Sequence, residues 1–212
     1  MTAPAPRTVA IVLFDDIEVL DFAGPFEVFG VAGLRSGGPA PLRVLTVAGE
    51  ARPVVARNGL LVTPHHTLAD CPPADIVVVP GGGGRRADGT PFGTRREMAN
   101  AALLDWVRER DRSTELTLSV CTGALVLGAA GLLDGKRATT HHGAYDELRR
   151  AAPAATVVEG VKMVDAGHVV TSAGVSAGID MSLGVVARLL GDDVAMETAR
   201  YIEYDWHPGV RA

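Results

Sequence analysis

Cysteine and aromatic residues are scarce in this sequence. It has two cysteines, Cys71 and Cys121, in 212 residues, and aromatic residues make up 5% of the chain. Two cysteines cannot build a disulfide scaffold, and a lone thiol within a pattern of strands and helices is typical of the reducing cytoplasm. The small aromatic share favours an α/β interior made of Ala, Val, Leu and Gly.

The sequence also lacks concentrated positive charge and long apolar runs. Its 20 Lys and Arg residues are scattered and are outnumbered by 25 Asp and Glu, so nucleic acid is not an expected partner. No apolar run approaches the length of a membrane span. Residues 1–7 are rich in Pro and Ala, are too short for a signal peptide, and are predicted to be a flexible tail. We therefore expect a cytoplasmic protein that binds neither nucleic acid nor membrane.

Chain length and pattern predict a single domain over residues 1–212. Hydrophobic residues make up 47% of the chain, which is enough to bury a core, and neither repeats nor a linker interrupt it. Continuous apolar runs predict strands buried on both faces at residues 9–14, 42–47, 76–79 and 116–120. Helical patterns alternate with these strands. The alternation predicts an α/β fold with a doubly wound, mostly parallel sheet and helices on both faces.

Shorter signals predict turns and helix starts. Turn-forming residues predict two antiparallel hairpins, one around Asn58-Gly59 and one around residues 165–167. Pro25 is expected in the first turn of the first helix, where the missing N–H is tolerated. Thr94 and Glu97 form a capping-box pattern, which predicts that the following amphipathic helix begins there.

The most informative stretch is residues 116–124, which read Leu-Thr-Leu-Ser-Val-Cys-Thr-Gly-Ala. A strand pattern ends at Cys121, and Gly123 and Ala124 open a helical pattern, which is the outline of a nucleophile elbow. Such a turn presents its side chain at the carboxyl edge of the sheet, beside backbone N–H groups. The helix dipole is expected to lower the pKa of the Cys121 thiol. The alternative is that Cys121 is a small buried hydrophobic residue, as free cysteines often are.

Two further features follow strands that end at the same edge. Asp21 follows the first predicted strand, and the glycine run 81–84 follows the third long one. Because ligands bind beyond the carboxyl ends of parallel strands, acid, backbone donors and thiol are expected to converge. The glycines would form half of an oxyanion hole opposite the N–H of Thr122. In the alternatives, Asp21 caps its helix, and the run is an ordinary loop or a phosphate cradle without the Lys-Ser/Thr of a Walker loop.

These residues lie in longer stretches that resemble the ThiJ/PfpI superfamily, and most closely its isonitrile hydratase branch. Pro-Gly-Gly at residues 80–82, the block at residues 119–141, and Leu-Asp-Phe-Ala-Gly-Pro at residues 20–25 carry the resemblance. Residues 69–75, 176–180 and 203–204 also match, so the similarity spans nearly the whole chain. It implies a flavodoxin-like fold, a small-molecule substrate, no metal or other cofactor, and a homodimer.

The resemblance also implies a role for each matching residue. Cys121 would be the nucleophile, Asp21 the acid beside it, and Thr122 the donor of an N–H and a hydroxyl. Gly82 would supply the opposing backbone donor. Four further residues are expected to border the pocket: Gly81, Gly83, His141 and His142. A structural role is favoured over a catalytic one for the two histidines. In peptidase-like members a histidine follows the cysteine, so Thr122 argues against peptide hydrolysis.

The implied activity is that of a cysteine-dependent lyase that hydrates an isonitrile. Cys121 would add to the isonitrile carbon, protonated Asp21 would supply a proton, and water would then release an N-substituted formamide. The alternatives are an oxidation- or ligand-sensing protein without turnover, and a glyoxalase- or amidase-like enzyme acting on small carbonyl compounds. Because the chain ends at Ala212 without a helix-turn-helix domain, a stand-alone regulator is not expected. Residues 85–96 form a longer segment than in that branch, and we expect a solvated insertion rather than a lid.

Overall fold

The chain folds around one mixed sheet flanked by helices, in a computed structural model that describes residues 5–36 and 39–208. The strands are β1 (Arg7–Leu13), β2 (Leu42–Ala48), β3 (Val54–Val55), β4 (Leu61–Val62), β5 (His66–Thr67), β6 (Ile76–Val79), β7 (Gly83–Arg85), β8 (Pro91–Gly93), β9 (Leu116–Ser119), β10 (Arg137–Ala138), β11 (Thr156–Val157), β12 (Met163–Ala166) and β13 (Val169–Ser172). The α-helices are α1 (Val19–Val31), α2 (Thr94–Glu97), α3 (Ala101–Asp111), α4 (Gly123–Ala129), α5 (Tyr145–Ala151), α6 (Ala177–Leu190) and α7 (Asp192–Tyr201).

The central sheet has the strand order β12-β13-β9-β6-β1-β2-β5 within the described residues. Neighbouring strands are parallel except for β12 and β13, which pair antiparallel at one edge. The chain passes from β1 to β2 on one side and then returns to β6 on the other, so the winding reverses between β1 and β6. A crevice at such a reversal is where ligands bind in sheets of this kind. The predicted flavodoxin-like, doubly wound α/β fold is confirmed.

The strands at the centre are apolar because helices cover both of their faces. All four residues of β6 are buried, and so is every residue of β1 after Arg7. Helices α1, α6 and α7 contact one another, while α2, α3, α4 and α5 form a second contacting group. The strands predicted from apolar runs are confirmed to within two residues at their ends. In the part of the chain that the structure describes, no helix is long and apolar enough to cross a bilayer.

Both predicted hairpins are present. Strand β3 pairs antiparallel with β4, and Asn58 and Gly59 in the turn between them have φ values of 61° and 82°. These left-handed values explain why Asn-Gly occupies the turn. Strand β12 pairs antiparallel with β13. Two more strand pairs, β7–β8 and β10–β11, lie outside the sequence prediction, because strands of three and two residues are too short to show a periodicity.

The amino-terminal boundary differs from the prediction. Arg7 belongs to β1, where it pairs with Leu42, and its N–H donates to the Pro41 carbonyl at 3.0 Å. The flexible tail predicted for residues 1–7 is therefore wrong at Arg7. Its backbone is ordered by β2, a partner that the Pro- and Ala-rich start does not reveal. Residues 1–4 lie outside the described residues.

Helix α1 begins earlier than the sequence suggests. It starts at Val19, so Pro25 lies in its second turn rather than in its first. The cap residue, Glu18, makes no side-chain capping bond, which leaves this helix start without a recognisable signal. Asp21 therefore lies within the first turn and is not the cap, so the capping alternative for this carboxyl does not hold.

The capping box predicted at Thr94 and Glu97 is wrong. Helix α2 ends at Glu97, and its N-cap residue is Gly93, so Thr94 is not the cap and no side chain caps this helix. The amphipathic helix that follows, α3, is capped instead by Asn100, whose side-chain oxygen accepts the Leu103 N–H at 3.3 Å. The Thr94 hydroxyl lies 3.0 Å from the hydroxyl of Thr122, inside the protein.

Replacing Asn100 tests this assignment of the cap. We expect Asn100→Ala to lower the free energy of unfolding by about 1 kcal/mol, because the first turn of α3 loses its side-chain acceptor. Asn100→Ser keeps an acceptor oxygen and is expected to retain most of that stability. Urea unfolding followed by circular dichroism measures both variants. Equal losses for the two variants would contradict the capping role.

Candidate active site

Cys121 lies on a sharp turn between β9 and α4. Its φ is 56°, a left-handed conformation that is strained for a non-glycine residue and typical of a nucleophile elbow. Two hydrogen bonds hold the turn. The Cys121 N–H donates to the Ala173 carbonyl at 3.0 Å, and the Thr140 hydroxyl donates to the Cys121 carbonyl at 2.8 Å. The predicted elbow is present, with the Cys121 side chain almost fully buried.

Glycines allow the backbone to approach this turn closely. A Cβ on Gly123 would lie 1.9 Å from the Val79 carbonyl oxygen, so no side chain fits where α4 begins. A Cβ on Gly81 would lie 2.5 Å from the Thr122 nitrogen and 2.9 Å from Asp21 Oδ2. The glycine run therefore packs tightly between the elbow and α1, which is not the open geometry of a phosphate cradle.

Asp21 is fully buried beside the elbow. Its Oδ2 accepts the Gly81 N–H at 3.0 Å, while Oδ1 has no hydrogen-bond partner among the described residues. A buried carboxylate oxygen without a partner is costly, whereas a protonated carboxyl carries less charge into the interior. Burial accordingly raises the pKa of Asp21 to about 7, although the Gly81 N–H and the neighbouring Cys121 thiol act in the opposite direction.

Two backbone N–H groups face the sulfur. The N–H groups of Thr122 and Val175 both favour the ionised form of Cys121, and Val175 also acts on Asp21. The sequence predicts Gly82 as the donor opposite Thr122. In the structure the Gly82 N–H donates to Thr122 Oγ1 at 3.0 Å, so it is already used. Val175, rather than Gly82, is the second backbone donor besides Thr122. Its φ of 51° is strained for a β-branched residue.

The Cys121 thiol ionises less readily than its position at a helix N-terminus would suggest. Burial, followed by the charge of the neighbouring Asp21, raises the pKa of Cys121 to about 12. The expectation of a lowered thiol pKa is therefore wrong for this structure, since burial outweighs the start of a seven-residue helix. Cys121 and Asp21 form a coupled pair that gives up one proton near neutral pH and the second only in strongly alkaline solution.

The two histidines lie beside the elbow without bonding to it. His141 Nδ1 accepts the Gly143 N–H at 3.1 Å, so a neutral ring carries its proton on Nε2. Burial and the nearby charges of His142 and Arg95 lower the pKa of His141, which favours that neutral form. No hydrogen bond joins either histidine to Cys121 within the described residues. His141 therefore presents a donor, not a base, on the side opposite Gly143.

A surface depression of about 440 Å³ borders this region. Its lining includes His141, Ala173 and Val175, which flank Cys121, together with Lys162, Asp180 and Tyr204. Asp180 accepts hydrogen bonds from Lys162 at 3.0 Å and from Tyr204 at 2.9 Å, which ties three chain segments together at the rim. Neither Cys121 nor Asp21 lines this depression.

The segment at residues 85–96 is part surface and part core. Residues 85–91 are exposed, as expected of a solvated insertion. Its end is different, because Thr94 is fully buried, and the Thr94 N–H donates to the Gly82 carbonyl at 3.1 Å. The prediction of a merely solvated insertion is thus wrong at Thr94, which packs directly behind the elbow.

Residues 7–188 match the model of the DJ-1/PfpI family. The chain belongs to the DJ-1/PfpI family. It is 36% identical to an isonitrile hydratase of Pseudomonas putida, over 92% of this chain and 78% of that protein. It is 31% identical to the HTH-type transcriptional regulator CdhR of Pseudomonas aeruginosa, over 88% of this chain and 52% of that protein. A solved ThiJ/PfpI family protein from Pseudomonas syringae superposes with a TM-score of 0.82, at 30% identity, over 97% of this chain and 78% of that one.

Membership of the DJ-1/PfpI family does not fix the activity, since these relatives include an enzyme and a transcriptional regulator. The described residues contain no group of three or more His, Cys, Asp or Glu side chains placed to hold a metal ion.

Three residues of this DJ-1/PfpI site are absent from the sequence prediction. Val175, Thr140 and Thr94 contact the elbow from three separate segments. Val175 follows β13, which lies beside β9 in the sheet, so the strand order alone places it at this edge. Nothing in the local sequence marks the other two, because a threonine near a turn has many ordinary uses.

The pH dependence of Cys121 alkylation tests the coupling within the pair. Asp21→Asn removes a carboxylate that raises the pKa of the thiol, so the midpoint of the rate profile is expected to move to lower pH. Iodoacetamide labelling at a series of pH values, followed by mass spectrometry of the Cys121 peptide, measures this midpoint. Asp70→Asn, which removes a carboxylate next to Cys71, serves as a control and should leave the Cys121 midpoint unchanged. An unchanged or higher midpoint in Asp21→Asn would contradict the coupling.

Proposed function

We propose that this protein is an isonitrile hydratase, a cysteine-dependent lyase that converts an isonitrile into an N-substituted formamide. The observation that carries the proposal is the buried pair of Cys121 and Asp21, in which the carboxyl pKa is raised to about 7 beside the thiol. The isonitrile carbon accepts a soft nucleophile and then needs a proton. A thiol and a carboxyl that share one proton near neutral pH supply both. The similarity to the Pseudomonas putida enzyme supports the same reaction.

In the first step, Cys121 Sγ forms a bond to the isonitrile carbon. The thiol proton passes to the carboxylate of Asp21 as sulfur attacks, and Asp21 then delivers it to the same carbon. The product is a thioimidate in which the former isonitrile carbon carries one hydrogen, the sulfur and a double bond to nitrogen. The raised pKa of the thiol makes free thiolate scarce at neutral pH. The reaction does not need it, because Asp21 accepts the thiol proton as sulfur attacks.

In the second step, water adds to the thioimidate carbon. One proton of the water passes to nitrogen, the carbon–sulfur bond breaks, and the other proton returns to the Cys121–Asp21 pair. The formamide then leaves and the resting pair is restored. The N–H groups of Thr122 and Val175, which favour the ionised sulfur, stabilise it as a leaving group.

The surroundings of the pair favour this chemistry over the alternatives. An oxidation sensor needs a thiol that ionises readily, whereas burial and Asp21 raise the pKa of Cys121. Amide or peptide hydrolysis needs a base beside the nucleophile. Thr122 occupies the position after the cysteine, and His141 offers its Nε2 proton as a donor.

We expect Cys121→Ala to abolish the hydration of an aliphatic or aryl isonitrile, because no sulfur remains to form the thioimidate. Asp21→Asn is expected to lower kcat at least about 100-fold, since the amide cannot carry the proton. Loss of the isonitrile absorption and appearance of the formamide in chromatography measure turnover. Cys71→Ala, which removes the other free cysteine, is the matched control and should retain activity. Wild-type protein that leaves isonitriles unchanged would refute the proposed function.

We also propose that the protein is a cytoplasmic homodimer. Its two free cysteines support a reducing compartment. Apolar side chains of the β3–β4 hairpin and of α1 are exposed, with Leu61 at 64% and Phe26 at 36%. The turn of the hairpin lies against the segment that precedes α1, because the Arg57 N–H donates to the Ile17 carbonyl at 2.9 Å. An exposed apolar surface of this kind supports pairing with a second copy.

Light scattering after size-exclusion chromatography tests the dimer. Wild type is expected at about twice the mass of one chain, and Leu61→Asp is expected to be monomeric because it buries a charge in the interface. Met196→Asp is the control, since Met196 on α7 is exposed to 46% but lies outside the hairpin surface. A monomeric wild type, or a dimer unaffected by Leu61→Asp, would contradict this surface as the interface.

A further inference from the structure

Thr94 reaches the elbow from a segment of the chain to which no catalytic role is assigned. It is fully buried, and its Oγ1 lies 3.0 Å from Oγ1 of Thr122. Thr122 Oγ1 also accepts the Gly82 N–H at 3.0 Å. Thr94 is held in this place by its own backbone, since its N–H donates to the Gly82 carbonyl at 3.1 Å. Two hydroxyls therefore share one hydrogen bond directly behind the nucleophile.

The direction of that hydrogen bond follows from the available partners. A hydroxyl has one proton to donate and two lone pairs that accept. Thr94 Oγ1 has no hydrogen-bond partner other than Thr122 Oγ1 among the described residues. If Thr122 donated, the Thr94 proton would be left without an acceptor in a fully buried position, which is unfavourable. If Thr94 donates, the unpaired proton belongs instead to Thr122, which is 5% exposed, whereas Thr94 is fully buried.

With Thr94 as the donor, both acceptor positions of Thr122 Oγ1 are filled, one by Thr94 and the other by the Gly82 N–H. The proton of Thr122 must then point away from both partners. A Cβ on Gly81 would lie 2.6 Å from Thr122 Oγ1 and 2.9 Å from Asp21 Oδ2, so the hydroxyl and the carboxyl both lie close to Gly81.

We propose that Thr94 is a positioning residue, which turns the Thr122 hydroxyl into a fixed hydrogen-bond donor towards the group that reacts with Cys121. The Thr122 hydroxyl then donates a hydrogen bond to the bound isonitrile as sulfur adds. Thr94 itself touches no substrate and acts only through Thr122. The kinetic consequence rests on the proposed isonitrile hydratase activity, whereas the direction of the hydrogen bond does not.

Kinetics of a double-mutant cycle test the positioning role. Thr94→Val, which is nearly isosteric, is expected to lower kcat about 3- to 10-fold with a smaller change in KM. Thr94→Ser keeps the hydroxyl and is expected to restore kcat. In a Thr122→Val background, Thr94→Val should have no further effect, because the hydroxyl through which it acts is gone. Thr198→Val, which removes a buried hydroxyl on α7, is the control for a general loss of stability.

Three kinetic outcomes would overturn the proposal. They are an unchanged kcat in Thr94→Val, a kcat as low in Thr94→Ser as in Thr94→Val, and an equal further loss in the Thr122→Val background. The last outcome would show that the valine acts on packing and not through the Thr122 hydroxyl.

Neutron diffraction from crystals of the perdeuterated wild type decides the direction of the bond without any assay of turnover. The expected deuteron is bonded to Thr94 Oγ1 and lies on the line to Thr122 Oγ1, with the Thr122 deuteron off that line. A deuteron bonded to Thr122 and pointing at Thr94 overturns the proposal. If the wild type hydrates no isonitrile, the proposed function fails, and this measurement still confirms or overturns the assignment of Thr94.

Discussion

The burial of the Asp21 carboxyl against the Cys121 thiol is the interaction on which the site depends. One carboxyl oxygen is held by the Gly81 N–H at 3.0 Å, and the other has no partner among the described residues. Burial raises the pKa of Asp21 to about 7 and that of Cys121 to about 12. Neither group ionises as it would in water, so above about pH 7 the pair keeps one proton, which the higher pKa of the thiol places on sulfur. Such a pair is suited to a reaction in which one carbon atom first forms a bond to sulfur and then gains a proton.

The fold provides this pair through close approaches of the backbone. The winding of the sheet reverses between β1 and β6, and α1, which follows β1, brings Asp21 against the end of β6. At Gly81 and Gly123 the neighbouring backbone approaches so closely that a Cβ would clash with it. Cys121 and Val175 both have positive φ values, which places strain on the two turns whose N–H groups face the sulfur. The energy for holding these turns comes from the buried strands around them.

Much of the fold and part of the site are predictable from the sequence, because they depend on local patterns. Continuous apolar runs indicate strands that are buried on both faces, and a strand that ends in Cys-Thr-Gly-Ala indicates an elbow. The convergence of Asp21, the glycine run and Cys121 follows from the rule that parallel strands end at one edge. Asn-Gly predicts its hairpin because few other residues adopt positive φ.

The remainder depends on contacts between distant segments, which local patterns do not contain. Thr94 resembles a capping residue and instead contacts Thr122, while Asn100 caps the helix. Gly82 was expected to be a free donor and is occupied by the same Thr122 hydroxyl. The raised pKa of the thiol arises from burial and then from the charge of Asp21, whereas the local sequence shows only the helix that follows Cys121. In each case the deciding partner lies far away along the chain.

The most direct test of the account is to trap the covalent intermediate. Wild-type protein is mixed with an isonitrile, quenched in acid within milliseconds to seconds, and measured by intact-protein and peptide mass spectrometry. We expect a transient increase in mass equal to that of the isonitrile, located on Cys121 and absent from Cys121→Ala. Formamide production without any adduct on Cys121, or an adduct that never gives rise to formamide, would contradict it.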